Sequence, residues 1–505
     1  MKKITLQLIF LLALLLVNIS CKKEEPITTN PDKEVPLVSQ FVYDGMSALY
    51  LWNKEVASKK PTSENTDAEA YFRSILNKTD AERQWSWITD DAEALVADFA
   101  GEPMTFGYSL GFARINDVIY AYVKYVHANT PAAHAGLKRL DLIGKLNGQP
   151  ITADEEGYIS SRDVGLLYGR SPVTFTIYRY TDGVITEVDE DMPITPIVTK
   201  TDPVVFDSIY TVGNKKIGYL FYTSFISNFN YRLHEVFSTF KQEGVTDLVL
   251  DLRYNHGGDI SSASYLASMI ASASEVEKKP VFTILSYNDD IGKSESRLGV
   301  YADKTEPNPL DANLDLDTQD NKVYIIATDD SYSASELITF CLRQFMDVVH
   351  IGGKTGGKYT GSITVHAYDD NIGFPLYPEL YPRKVLTSED KNSLKNWAMQ
   401  PIVAKYTDNE GNDFINTNGL IPDEEMDEGF GFIDYWTPLG DTDDTLLGHA
   451  LYIITGDEEY KPIEPGGMIS STKAGAIKTI DSPKIHCPND FRKESVIIDN
   501  FKPKR

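Results

Sequence analysis

The chain has 505 residues, room for about two to four domains. Its 42% hydrophobic and 11% aromatic content can supply a sizeable core. A formal net charge of −26 excludes nucleic acid as a natural partner, because phosphates demand a basic surface, and disfavours electrostatic docking to anionic lipid.

Met1 to Ser20 reads as an export signal: Lys2 and Lys3 form a basic start, and Ile4 to Val17 an apolar run too short to span a bilayer. Cys21 follows, then a polar tether over residues 22–36. This resembles a bacterial lipoprotein signal, in which Cys21 would become the lipidated first residue and anchor the protein to a membrane. Asn18 stands where such signals carry an apolar residue, which keeps an ordinary cleaved signal as the alternative. Lys23-Glu24-Glu25 is similar to surface-export signals of some Bacteroidetes lipoproteins. The resemblance implies an exported outer-membrane lipoprotein, facing the periplasm or the cell surface. Beyond Cys21 the chain holds only Cys341 and Cys487, and no Cys/His cluster has metal-ligand spacing. No cofactor is expected.

Residues 37–102 read as mostly helical, with an aromatic-rich helix around Phe41, Met46, Leu49 and Trp52 and a second over Ala68 to Leu76. Residues 103–200 change to strand-like alternation at Ile119, Ala121 and Val123, and again at Val173, Phe175 and Ile177. Between them stand Thr130-Pro131-Ala132-Ala133-His134-Ala135-Gly136-Leu137, Asp141-Leu142-Ile143 and an Asn147-Gly148 turn. That run resembles a PDZ domain, with Leu140 in place of the usual glycine before Asp141. Ser109, Leu110, Gly111 and Phe112 resemble its carboxylate-binding loop, whose backbone N–H groups would hold a chain end while the peptide adds as a strand.

An α/β core is expected over residues 201–459. Lys216 to Leu220 reads as a strand, and Leu233, Val236, Phe237 and Phe240 share one helix face that ends at Gly244. Leu248 to Leu252 is a buried strand running into Arg253-Tyr254-Asn255-His256-Gly257-Gly258. Asp251 and Arg253 suggest a structural ion pair. Residues 275–319 are polar and read as a loop, and residues 460–505 as a poorly ordered tail.

The chain turns on residues 323–362. Val323 to Ala327 suits a buried strand, and Thr328 to Ser331 break it. From Ala334 the spacing of Leu337, Ile338, Cys341, Leu342 and Phe345 is helical, which makes Cys341 a packed core thiol. Ser333 therefore sits at a helix start, where free N–H groups and the helix dipole favour a developing oxyanion. A serine nucleophile needs a base. Lys354 and Lys358 both follow in a glycine-rich turn, and spacing alone does not choose between them. The stretch Gly352 to Lys358 nearly matches a phosphate-binding loop, but Tyr359 replaces the required Ser/Thr and a strand-like pattern follows. Ser470 to Lys473 and Lys354-Thr355-Gly356 mimic penicillin-binding motifs in reversed order, and that reading fails.

Ser333-Ala334-Ser335-Glu336 with Gly353-Lys354-Thr355-Gly356-Gly357-Lys358 resembles the C-terminal processing (tail-specific) peptidases, which use a serine–lysine dyad. The resemblance assigns Ser333 as nucleophile and Lys358, 25 positions later, as general base. Asp251-Leu252-Arg253-x-Asn255-x-Gly257-Gly258 resembles a second signature of that family, implying an oxyanion hole from Gly258, with Gly257 adjacent, and Ala334. Glu336 would orient the site. Asn418 to Asp423 resembles a further segment, whereas Ser362 stands where the family often has glutamine, which leaves open what orients the lysine. The family implies a multidomain α/β chain with a crotonase-like (ClpP/crotonase) core, an inserted PDZ-like β-rich domain and an N-terminal helical segment. It also implies polypeptide substrates. An inactive PDZ-containing scaffold lipoprotein is the alternative.

Overall fold

The computed structural model describes residues 34–181, 184–301, 306–316, 322–368, 386–428, 436–461, 479–481 and 496–498. The export signal, Cys21 and most of the tether lie outside them.

The N-terminal segment packs α1 (Leu37–Leu49) and α2 (Ala68–Ile75) through Phe41, Val42, Met46, Tyr71, Phe72 and Ile75, all buried in the main core. Asp67 caps α2, accepting from the Ala70 N–H. Trp87 does not continue a helix: β1 (Trp87–Thr89) pairs with a strand over 300 positions downstream, before α3 (Ala92–Phe99) begins.

The inserted module has its own apolar core. Its strands are β2 (Tyr108–Ile115), β3 (Val118–Val126), β4 (Leu142–Leu146), β5 (Val173–Thr181) and β6 (Val184–Ile194), hydrogen-bonded in that order, with α4 (Ser161–Tyr168) against them. Asn147 and Gly148 both have positive φ, 50° and 75°, as a two-residue hairpin turn requires. Leu140 has φ 76°, a conformation that glycine adopts more easily. Met104 pairs with Val198 and Thr105 with Ile197, so the segments that enter and leave the module meet. The four residues resembling a carboxylate loop lie within β2, not in a loop. Leu110 and Phe112 are buried, and the run bonds to β3 along one edge.

The following α/β layer is a six-stranded sheet. β7 (Val204–Val212) is antiparallel to β8 (Lys215–Tyr222); β9 (Asp247–Asp251) follows in parallel after α5 (Asn230–Glu243). Gly244 closes α5 with φ 71°. After the short β10 (Gly258–Asp259) come α6 (Ile260–Ile270), β11 (Val281–Tyr287) and β12 (Lys293–Arg297). β11 and β12 form a hairpin where composition suggested a loop. β12 reads Lys-Ser-Glu-Ser-Arg because it is an exposed edge, so its polarity hides the strand.

β13 (Lys322–Ala327), α7 (Ala334–Cys341) and β14 (Asp347–Gly352) form the expected strand–helix–strand unit, β13 lying between β9 and β14. The chain then makes β15 (Thr360–Ser362), β16 (Val365–His366), β17 (Ala398–Gln400), β18 (Ile402–Thr407) and β19 (Glu424–Glu425). β17 is the partner of β1. α8 (Thr445–Thr455) covers the second sheet face with Leu446, Leu447, Ala450 and Leu451.

Of the tail expected to be poorly ordered, residues 462–478, 482–495 and 499–505 lie outside the described residues; within the rest, β20 (Thr479–Asp481) and β21 (Val496–Ile497) join sheets. They do so by backbone pairing with available edges, which side-chain patterns do not announce.

Candidate active site

Ser333 caps α7 with φ 62° and ψ −110°, a strained conformation for a residue with a Cβ. Its side chain has no solvent-exposed surface, and its Oγ makes no hydrogen bond among the described residues. A buried polar atom without a partner is costly, so strain and an unpaired hydroxyl coincide at one serine.

Glu336, one turn into α7, organises the surroundings. Its Oε2 accepts from the Ser333 N–H and the Lys358 N–H, each at 2.8 Å. Its Oε1 accepts from the Gly357 N–H at 2.7 Å and the Thr355 hydroxyl at 2.5 Å. The Thr355 oxygen itself accepts from Leu420 N–H at 2.7 Å, so its hydrogen is committed to Glu336. Burial pushes the Glu336 carboxyl above its ordinary value, while these donors pull it down. All four partners donate to it as placed, and only the Thr355 oxygen could also accept a carboxyl proton. The ionised form satisfies all four donors at once, and the clamp is described in that form.

A second clamp closes from β18. The Tyr406 hydroxyl lies 3.1 Å from the Ser333 carbonyl oxygen and 2.9 Å from that of Lys358. One carboxylate thus holds the amides of residues 333 and 358, and one phenol their carbonyls. Lys358 is fully buried and Lys354 is exposed, which separates the two lysines that spacing left open. Asp80, brought in with the N-terminal segment, is also buried. Burial raises its carboxyl, against hydrogen bonds from Ser86 and Tyr50 and the nearby charge of Lys358.

Gly257 (φ 106°) and Gly258 (φ 136°) form the turn beside this pair. A Cβ on Gly257 would stand 2.8 Å from the Ser333 Cβ and 3.0 Å from the Ala334 nitrogen, so close approach demands glycine. The Gly257 N–H, however, donates to Asn255 Oδ1 at 2.8 Å. That removes it as an oxyanion donor and leaves Gly258 and Ala334. Asp251 and Arg253 do pair, within a larger buried network. The Arg253 guanidinium makes two 2.8 Å bonds to Asp444 and lies 3.3 Å from Glu428. Burial alone would raise the Asp444 carboxyl, but Arg253 more than offsets it and holds it below the ordinary range.

The inserted module docks on the same turn. Arg139 donates to the Tyr254 hydroxyl at 3.2 Å and pairs with Glu428, while Lys124 pairs with Asp330, three residues before Ser333. A cleft of about 1830 Å³ runs between them. Ser109, Leu110, Gly111 and Phe112 line one side; His256, Asp329, Tyr332 and Lys354 line the other.

Sequence reasoning missed Tyr406, Asp80 and Gln400. Gln400 on β17 donates to Ser362 Oγ at 3.1 Å, so a buried glutamine reaches that serine from another strand. No local motif marks these three; they arrive by tertiary pairing. Among the described residues no His/Cys/Asp/Glu group could hold a metal, and no helix is long and apolar enough to cross a membrane.

Residues 216–426 match the family described as "Peptidase family S41", and residues 38–87 its "Peptidase S41 N-terminal domain". A carboxy-terminal-processing protease of Bartonella bacilliformis is 25% identical over 351 residues, covering 67% of this chain and 72% of that protein. A "Probable CtpA-like serine protease" of Staphylococcus aureus is 24% identical over 231 residues, and the chain spans only 40% of its length. The crystal structure of a Bacteroides fragilis protein assigned to the S41 proteases shares the fold. Its TM-score is 0.61 at 24% identity, over 82% of this chain and 97% of that one. As a class, then, this mixed α/β multidomain chain is a peptidase. Both matched stretches match peptidase S41 models, and its relatives include a carboxy-terminal-processing protease.

Proposed function

We propose that the chain is a serine endopeptidase working through a Ser333–Lys358 dyad. The observation that carries the reading is the shared clamp: Glu336 binds the amides of both residues and Tyr406 both carbonyls. In this mechanism Lys358 serves as the base in its neutral amine form. It takes the Ser333 proton as Oγ attacks the scissile carbonyl carbon. The oxyanion meets the Gly258 and Ala334 N–H groups. The C–N bond breaks, the departing amine takes the proton from Lys358, and water then cleaves the acyl ester by the same proton route. Glu336 positions the dyad and touches no reacting atom.

The module of residues 103–200 would present an extended polypeptide, or its C-terminus, along the edge of β2 opposite β3, over Ser109 to Phe112. The cleft between β2 and Tyr332 supports this reading. Export, with lipid on Cys21 holding the protein to the outer membrane, completes the proposal and rests on the signal sequence.

The test is degradation of an unfolded model protein by the form beginning after Cys21, beside Ser333→Ala and Lys358→Ala. Both substitutions should reduce cleavage at least about 1000-fold. Ser333→Ala should unfold no more easily than the wild type, because its hydroxyl makes no hydrogen bond. Cleavage surviving in both would refute the dyad. No cleavage by the wild type would favour the scaffold reading.

A further inference from the structure

The C-terminal tail returns to the molecule at two places, one on the edge of β2 opposite β3 and one beside the strand that starts at Gly258. β20 adds antiparallel to β2, with Thr479 opposite Ile115 and Asp481 opposite Arg114. Its direction points toward the Ser109 end of β2. β21 lies between β10 and β15, parallel to both: Val496 is opposite Gly258 and Gly361, and Ile497 opposite Asp259 and Ser362. The Ile498 N–H donates to the Ser362 carbonyl at 3.0 Å, and the Ile498 side chain is buried in the main core.

β10 begins at the candidate oxyanion glycine, and β15 begins two residues after Lys358. An extended chain reaching Ser333 by strand addition has these edges to pair with. Edges with unpaired N–H and C=O groups recruit whatever strand is present at highest local concentration. A segment of the same chain has that advantage over any free polypeptide.

We propose that the two tail strands, Thr479–Asp481 and Val496–Ile498, are resident occupants of the strand-adding edges that substrate must use. The tail is thus an in-chain competitor of substrate. The word substrate rests on the peptidase reading above; the occupation does not. A competitor of this kind raises the apparent KM and leaves kcat unchanged, since the tail must be gone before substrate binds.

The test uses the full chain carrying Ile498→Pro. The substitution removes the N–H bonded to Ser362 and the buried side chain, and lies outside the dyad and the oxyanion turn. For an unfolded protein substrate, KM should fall about fivefold or more with kcat unchanged. A peptide of residues 494–500 added in trans should raise it again. Hydrogen exchange at residues 257–262 and 359–364 should accelerate in the variant, a readout that needs no catalysis. If neither protein cleaves anything, the peptidase reading fails while exchange still decides the occupation.

Should Ile498→Pro misfold, Ser333→Ala in the full chain is saturated with unfolded polypeptide instead. Exchange at Val496 to Ile498 must then accelerate. Unchanged KM and unchanged exchange in Ile498→Pro, or tail protection that persists while polypeptide is bound, would overturn the proposal.

Discussion

Glu336→Gln tests the electrostatic core of the site, because its outcome depends on the charge assigned to one carboxyl. Four donors converge on Glu336: the amides of Ser333, Gly357 and Lys358 and the hydroxyl of Thr355. A glutamine has one acceptor oxygen and one NH2. With its NH2 toward the Ser333 and Lys358 amides it opposes two buried donors; turned the other way it opposes the Gly357 amide, since the Thr355 oxygen can accept from the NH2. Each buried donor left unsatisfied costs roughly 1–3 kcal/mol, so in the better orientation the substitution should cost about 2 kcal/mol of stability. It should also release residues 333 and 358 from their common anchor and lower kcat by roughly 100-fold, with a smaller effect on KM. Urea unfolding and steady-state kinetics on the same preparation measure both. A protonated Glu336 is nearly isosteric and isoelectronic with glutamine. If Glu336→Gln changes stability by less than about 1 kcal/mol and keeps full activity, the ionised carboxylate is wrong and the clamp does not hold the dyad.

Gly257→Ala brings a Cβ to 2.8 Å from that of Ser333 in a backbone with φ 106°. It should cost about 1–3 kcal/mol and nearly all activity, read by thermal unfolding and kcat/KM; an active, stable alanine variant would contradict the close approach. Asp444 is held below its ordinary range by Arg253, so its contribution to stability is present above about pH 4, near the unfolded value, and is lost as pH falls through its folded value. Asp444→Asn should cost about 3 kcal/mol at pH 7 and flatten the acid limb of stability below pH 4. An unchanged limb in denaturant titrations across that range would mean the pair contributes nothing.

Much of the fold was legible because its main elements follow local rules. The α5 stripe and its Gly244 stop, the β-branched runs of β9 and β13, and the Asn147-Gly148 turn each announce themselves within about a dozen residues. Ser333 and its helix start were equally local, and Lys358 was separated from Lys354 through family resemblance. What escaped was built by pairing across the chain. β1 reads as part of a helical segment until Ala398 to Gln400 lies beside it, and β12 looks like a loop because an exposed edge tolerates Lys, Glu and Arg. Tyr406, Asp80 and Gln400 are each ordinary in sequence. Gly257 shows the reverse limit: its identity was readable, but that Asn255 takes its N–H is a matter of side-chain geometry.

The seclusion of Ser333 turns an ordinary labelling reagent into a clock. If Ser333 is the nucleophile proposed above, a fluorophosphonate cannot phosphonylate its oxygen where water itself does not reach. The modification rate therefore multiplies intrinsic reactivity by the fraction of time the chain stands open. Two preparations of identical chemistry would label at different speeds if their open fractions differed. The dose of an active-site titrant would count molecules only after long exposure, and its early kinetics would report how often Ser333 becomes accessible.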